Sequence, residues 1–189
     1  PAARTTCVKP YGNASVLLQT ASGIHAEHSE MYIRNVQMTK DSDVTQAIQK
    51  ANPYMVEDSV WSATNSDVVV SFPIIPKKGS YVKEDLIGVD HLEKVKLVQQ
   101  HWVNAGTNEE LCADKGVRHN VSNTILVDDW HEVEEYVYKN RHSFAGISFL
   151  SMTGDKDFNQ APNTSVISAK EMVKKYGTSA IFASGLVVD

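Results

Sequence analysis

The sequence predicts an α/β fold with at least some parallel strands. Three observations carry that expectation. Runs dense in apolar and β-branched residues stand over 67–75, 119–127 and 145–150. Stripes at helical spacing lie over 82–105 and after Asp128-Asp129. Turn-forming residues separate the two kinds of segment, and strands that alternate with helices favour parallel pairing.

The elements follow in order. Residues 4–9 read as a short strand bounded by Pro10 and Gly12. Residues 14–19 can open a helix that Ser22-Gly23 ends. Residues 31–38 alternate and are β-rich, which predicts a strand. Asp41 or Ser42 caps a helix over 43–51 that stops before Pro53. The run 67–75 is apolar without alternation, so a strand buried on both faces is expected. A long helix over 82–105 carries Leu86, Val89, Leu92, Val95, Val98 and Trp102 as its apolar stripe, and Gly106 ends it. Strands over 119–127 and 145–150 flank a helix capped by Asp128 or Asp129, with Trp130, Val133, Val137 and Tyr138 on one face. Residues 153–165 read as a polar loop. Ser168 caps a last helix that runs to Tyr176, before Gly177.

The bulk numbers bound the function. A chain of 189 residues can bury a core and suits one domain or one large subdomain. Its hydrophobic content of 42% and charged content of 22% are those of an ordinary globular protein. A net charge of −5 offers no basic footprint for DNA. No apolar run approaches the roughly 20 residues of a membrane span, and no secretory leader is evident. Cys7 and Cys112 are the only cysteines, which points to a reducing, cytoplasmic location. Three Asn-x-Ser matches, at Asn13, Asn120 and Asn163, are then chance. The chain opens Pro-Ala-Ala-Arg-Thr-Thr-Cys without an initiator Met, so it is expected to start inside a longer element.

One segment combines several chemical signals: Lys9-Pro10-Tyr11-Gly12-Asn13-Ala14-Ser15. A Pro-x-Gly turn stands directly before a helix start. Helix starts present unpaired N–H groups and a positive dipole end, which attract phosphate. Gly12 permits close backbone approach and Ser15 offers a hydroxyl. The segment lacks the Gly-Lys-Ser/Thr ending of a Walker A loop. The bland alternative is a Pro-Gly turn before a buried helix.

Other candidates carry less. His25 and His28 stand three apart without a third metal ligand, and read as exposed loop histidines. The run from His131 to Glu135 starts like a zinc-protease helix but has Glu135 where the second His belongs. The Asp155, Asp157 pair lacks calcium-loop spacing. Cys7 reads as a buried structural thiol and Cys112 as an exposed one. The run His119-Asn120-Val121-Ser122-Asn123-Thr124 is dense in hydrogen-bonding groups. It fits a strand with polar caps or a site at a strand end equally well.

Taken in order, these segments resemble the adenosylcobalamin (vitamin B12)-dependent, class II ribonucleotide reductases. The resemblance is carried by Thr5-Thr6-Cys7-Val8-Lys9-Pro10, then Gly12 and Ser15, Ser22-Gly23-Ile24-His25 and Tyr32-Ile33-Arg34. It continues through residues 119–125, Gly146-Ile147-Ser148-Phe149-Leu150 and Gln160-Ala161-Pro162. It implies a ten-stranded α/β barrel, of which residues 1–189 form one region in the C-terminal portion. The phosphate loop falls at 9–16 and the distal elements at 67–189.

The resemblance further implies an enzyme that replaces the ribose 2′-OH by hydrogen through radical chemistry. Adenosylcobalamin serves the complete enzyme, with none expected on this chain alone. Cys7 aligns with a strand cysteine and not with the radical or redox cysteines, so the isolated chain is expected to be inactive. Its assigned role is to bind the phosphates of a ribonucleoside di- or triphosphate through Pro10, Tyr11, Gly12, Asn13, Ala14 and Ser15. Tyr11 and Asn13 replace the Ser and Thr of the family turn; backbone amides survive that exchange, and Asn13 can donate through its own amide. Partners implied are the rest of the barrel, with self-association through open strand edges. The alternatives are a non-catalytic nucleotide- or phosphate-binding module and a structural interaction fragment.

Overall fold

The computed structural model describes residues 1–178 apart from 12, 13, 16, 17, 19, 153–157, 166 and 167. The chain divides into two compact units: Pro1–Glu27 with Tyr81–Gly154, and His28–Ser80 with Asp155–Asp189.

The second unit is built on a four-stranded antiparallel sheet, with spatial order β2-β3-β1-β6. Its long central pair is β1 (Tyr32–Thr39) and β3 (Asp67–Ile74), joined from Tyr32↔Ile74 to Thr39↔Asp67. The short strand β2 (Val56–Asp58) pairs with Val68, Val69 and Val70 on the far edge of β3. β6 (Asn163–Ser165) adds to β1. The run 67–75 is indeed buried on both faces, but as a central antiparallel strand. Pro73 is tolerated because β2 has already ended there, leaving that edge of β3 without a ladder partner.

Two helices complete this unit. In α1 (Asp43–Ala51) the Ser42 side chain accepts the Thr45 N–H, as the capping signal predicts. In the last helix, Ala169–Tyr176, Ser168 accepts the Glu171 N–H, and Gly177 follows at φ +73°. Ile33, Met55, Met172 and Tyr176 form the core between sheet and helices.

The first unit holds the parallel pairing. Strand β4 (Ile125–Val127) pairs with β5 (Phe149–Ser151), and helix α3 (Trp130–Asn140) connects them. Asp129 caps α3 by accepting the His131 and Glu132 N–H groups. Helix α2 (Gly88–Val98) continues into a π-helical segment over Gln99–Asn104. The core is Leu92, Val95, Val103, Val121, Ile125, Val127 and Val133.

Several expectations need correction. The described residues form a four-stranded antiparallel sheet and a two-stranded parallel one, and on their own do not display the expected portion of a ten-stranded barrel. Residues 4–9 make only isolated bridges, Arg4↔Thr107 and Val8↔Val121. The long helix begins at Gly88, not 82, because Tyr81 and Lys83 are held by backbone bonds to Glu27. Trp102 is exposed, and the buried stripe runs through His91, Leu92, Val95, Gln99 and Val103. Trp130 and Tyr138 are exposed as well.

Strands 119–127 and 145–150 shrink for one shared reason. The Asn123 side chain donates to Val121 O and Gly146 O and accepts the Ser148 N–H, replacing ladder bonds there. The two cysteines exchange roles: Cys7 is exposed and Cys112 buried. Along residues 4–8 the inward positions are Arg4, Thr6 and Val8, so Cys7 falls on the outer side of the alternation. Cys112 ends a short 3-10 turn, with its thiol 3.3 Å from Asn108 O.

Candidate functional site

The turn that the sequence singles out lies in the first unit, and its surroundings can be built residue by residue. Val8 enters alongside Val121, and its carbonyl accepts the Ser122 N–H at 2.9 Å. One turn earlier, His119 Nδ1 lies 3.0 Å from Thr6 O, so this nitrogen carries the proton. The segment 119–124 therefore serves to hold strand ends, with His119 and Asn123 both engaged with backbone.

Pro10 and Tyr11 are exposed. The Ser15 N–H donates to Tyr11 O at 3.1 Å, which closes the first helical turn and puts Tyr11 at the N-cap position. Ala14, Ser15 and Leu18 have helical backbone. In any α-helix the amides between the N-cap and the first such bond lack an intrahelical acceptor. Of these, Ala14 lies among the described residues and is exposed. Gly12 and Asn13 lie outside the described residues. Ser15 itself is buried at 4% exposure, so its side chain belongs to the interior face of this turn.

A second turn, over residues 22–25, braces the first. Ser22 Oγ accepts the Tyr11 N–H at 2.9 Å. Gly23 has φ +65°, and a Cβ there would stand 3.0 Å from the Lys9 carbonyl oxygen, so glycine is required by both conformation and contact. His25 Nδ1 donates to Ser22 O at 3.0 Å. His91, at 3% exposure on α2, donates through Nε2 to Ile24 O at 3.0 Å. The two rings meet edge to face at 6.3 Å.

Burial lowers the His91 pKa; its bond to Ile24 O works against that, and the neighbouring His25 adds a further lowering. His91 is thus a neutral donor at pH 7. It is absent from the sequence-predicted site, and His25 is half-buried where an exposed loop residue was expected. The signal was available: His91 recurs with Leu92 and Val95 on the buried face of α2. Among the described residues no group of three or more His, Cys, Asp or Glu side chains is placed to hold a metal ion. No helix among them is long and apolar enough to cross a membrane.

The fold so described matches a solved structure. The chain superposes on a B12-dependent (class II) ribonucleotide reductase with a TM-score of 0.69, over 95% of its own length and 23% of that chain, at 21% identity. In sequence it is similar to two named relatives. One is a probable adenosylcobalamin-dependent ribonucleoside-triphosphate reductase of Dictyostelium discoideum, 31% identical over 101 residues, which are 53% of this chain and 13% of that protein. The other is the adenosylcobalamin-dependent ribonucleoside-triphosphate reductase of Euglena gracilis, 25% identical over 162 residues, 84% of this chain and 20% of that protein. No family model matches the chain. The resemblance read from the ordered motifs therefore holds in sequence and in fold, and the chain spans about a fifth or less of the relatives' length.

Proposed function

We propose that the chain is part of an adenosylcobalamin-dependent ribonucleotide reductase and that its turn at residues 10–15 binds the phosphates of the ribonucleotide. The relatives' names support the enzyme class. The observation that carries the phosphate reading is the Ser15 N–H to Tyr11 O bond. It supports a helix start behind exposed Pro10 and Tyr11, and helix starts in general favour an anion. The Ser22 Oγ bond to the Tyr11 N–H holds the entry to this segment before ligand arrives, which reduces the ordering cost of binding.

In this reading the chain contributes positioning to the reduction of ribonucleotides to 2′-deoxyribonucleotides. Clamped phosphates set the ribose in place, and displacement by about an ångström is enough to slow such a reaction strongly. Adenosylcobalamin supplies the radical when bound to the complete enzyme. Ribonucleoside triphosphate is the favoured substrate, by the relatives' names, and the cytoplasm the favoured location.

Completion of a larger barrel is the second part of the proposal. Strand β5 pairs on one side with β4 and, among the described residues, with nothing on the other. Phe149, Leu150 and Met152 are exposed beside it, next to Trp130. Such an edge with apolar flanks fits pairing with a further strand of the enzyme.

Calorimetry with CTP tests the site. Wild type is expected to bind, and Gly12→Val, which adds bulk to the turn, to bind more weakly. Binding that this change leaves unaffected would rule the turn out.

A further inference from the structure

We propose that a groove on the second unit, between Trp61 and Phe158, receives an arginine or lysine side chain of a partner polypeptide. This goes beyond the phosphate turn, which lies in the other unit.

The groove is built, not incidental. Trp61 is 63% exposed and Phe158 53%, yet the two rings are held edge to face at 6.1 Å. The Trp61 indole N–H donates to Asn159 O at 3.3 Å. Gln160 staples the two loops together: its Oε1 accepts the Val60 N–H at 2.9 Å and its Nε2 donates to Asp58 O at 2.8 Å and Glu57 Oε1 at 3.3 Å. Gln160 does this at φ +58°, a left-handed backbone that non-glycine residues adopt only at a cost. Gln160 thus ties the residues before Trp61 to the segment that carries Phe158, and the two large rings stand side by side, open to solvent. Rigid exposed aromatics are the usual anchors of recognition surfaces.

The chemistry of the groove selects the occupant. Its volume is about 360 Å³, at the small end for ligand sites and suited to one side chain. Its amide side chains are engaged: Asn35 with Ala161 O and Ser71, and Gln37 with Asp67. Neutral hydrogen-bond readout of a base is therefore poorly provided. What remains is ring faces and charge.

Glu57 and Asp67 each lie one hydrogen bond from a groove amide. Among the described residues no ion pair engages either of them, whereas Asp58 is paired with Lys40 at 2.7 Å. The surroundings are net acidic, which repels phosphate-bearing ligands and attracts cations. A guanidinium or ammonium over an indole face within reach of carboxylates gains from both.

The test uses the full chain and the Trp61 indole N–H resonance. Its titrants are a capped Gly-Gly-Arg-Gly-Gly peptide, the same peptide with neutral citrulline in place of arginine, and adenosine. The arginine peptide is expected to give a saturable shift that weakens with added NaCl. The citrulline peptide should bind about fivefold more weakly. Trp61→Leu and Phe158→Leu should each abolish arginine-peptide binding, read from the Gln160 side-chain amide. Glu57→Gln with Asp67→Asn leaves the rings intact and should weaken binding about threefold, which keeps the test valid if a ring variant unfolds. Equal binding of the citrulline peptide, tighter binding of adenosine, or no effect of the charge-removing pair would overturn the proposal.

Discussion

His91 Nε2 lies 3.0 Å from the carbonyl oxygen of Ile24, so a buried ring on α2 holds the turn that in turn holds Tyr11. A carbonyl can only accept, which assigns the His91 proton to Nε2.

That assignment predicts a pH dependence. Burial lowers the native pKa of His91 below its ordinary value of 6.5, despite the opposing bond to Ile24 O, and His25, the titratable group that acts on it, lowers it further. Below pH 6.5 the unfolded chain binds a proton that the native chain refuses. Stability from this residue is therefore lost as pH falls from 6.5 to the native pKa, and the loss levels off below it. His91→Gln keeps a donor and removes the titration. Urea midpoints measured across this range should fall less steeply for the variant. Parallel profiles would sink the assignment.

Gly106 is a second sensitive point. A Cβ there would stand 2.0 Å from Thr6 Oγ1, which is fixed by its bond to Trp102 O at 2.7 Å. Thr6 is short and cannot swing clear. Gly106→Ala is expected to destabilise the protein by about 1–3 kcal/mol, the usual range for overpacking. Thermal unfolding checks this, and Gly106→Ala combined with Thr6→Ser should recover only part of the loss because the hydroxyl remains.

Asn52 joins three pieces of the second unit. It is 1% exposed, its Oδ1 accepts the Tyr54 N–H, and its Nδ2 donates to Tyr176 O at 2.9 Å. Asn52→Ala leaves buried groups without partners and is expected to cost about 1–3 kcal/mol. Denaturant unfolding followed by circular dichroism reads the change; a midpoint equal to wild type would refute it.

The thiols should differ in reactivity. Cys7 is exposed and Cys112 is buried beside backbone carbonyls. Maleimide under native conditions should label Cys7 first, and Cys112 only after denaturation. Mass spectrometry of a partial reaction distinguishes them, and equal labelling would contradict the placement.

The sequence by itself determined the local structure and the enzyme class it resembles. Ser42, Asp129 and Ser168 each cap the helix that follows, because a cap depends on residues within one turn of it. The strand at 67–75 was legible from its mostly apolar run.

Only tertiary structure decided what depends on distant partners. Whether Cys7 or Cys112 is buried follows from which side of the 4–8 segment meets the core. Where strands 119–127 and 145–150 stop follows from one asparagine side chain that replaces their ladder bonds. The role of His91 needs Ile24, 67 positions away in the chain. The segment at residues 10–15 shows both contributions: its residues announce a helix start, while its bracing by Ser22 and His91 exists only once the chain has folded back on itself.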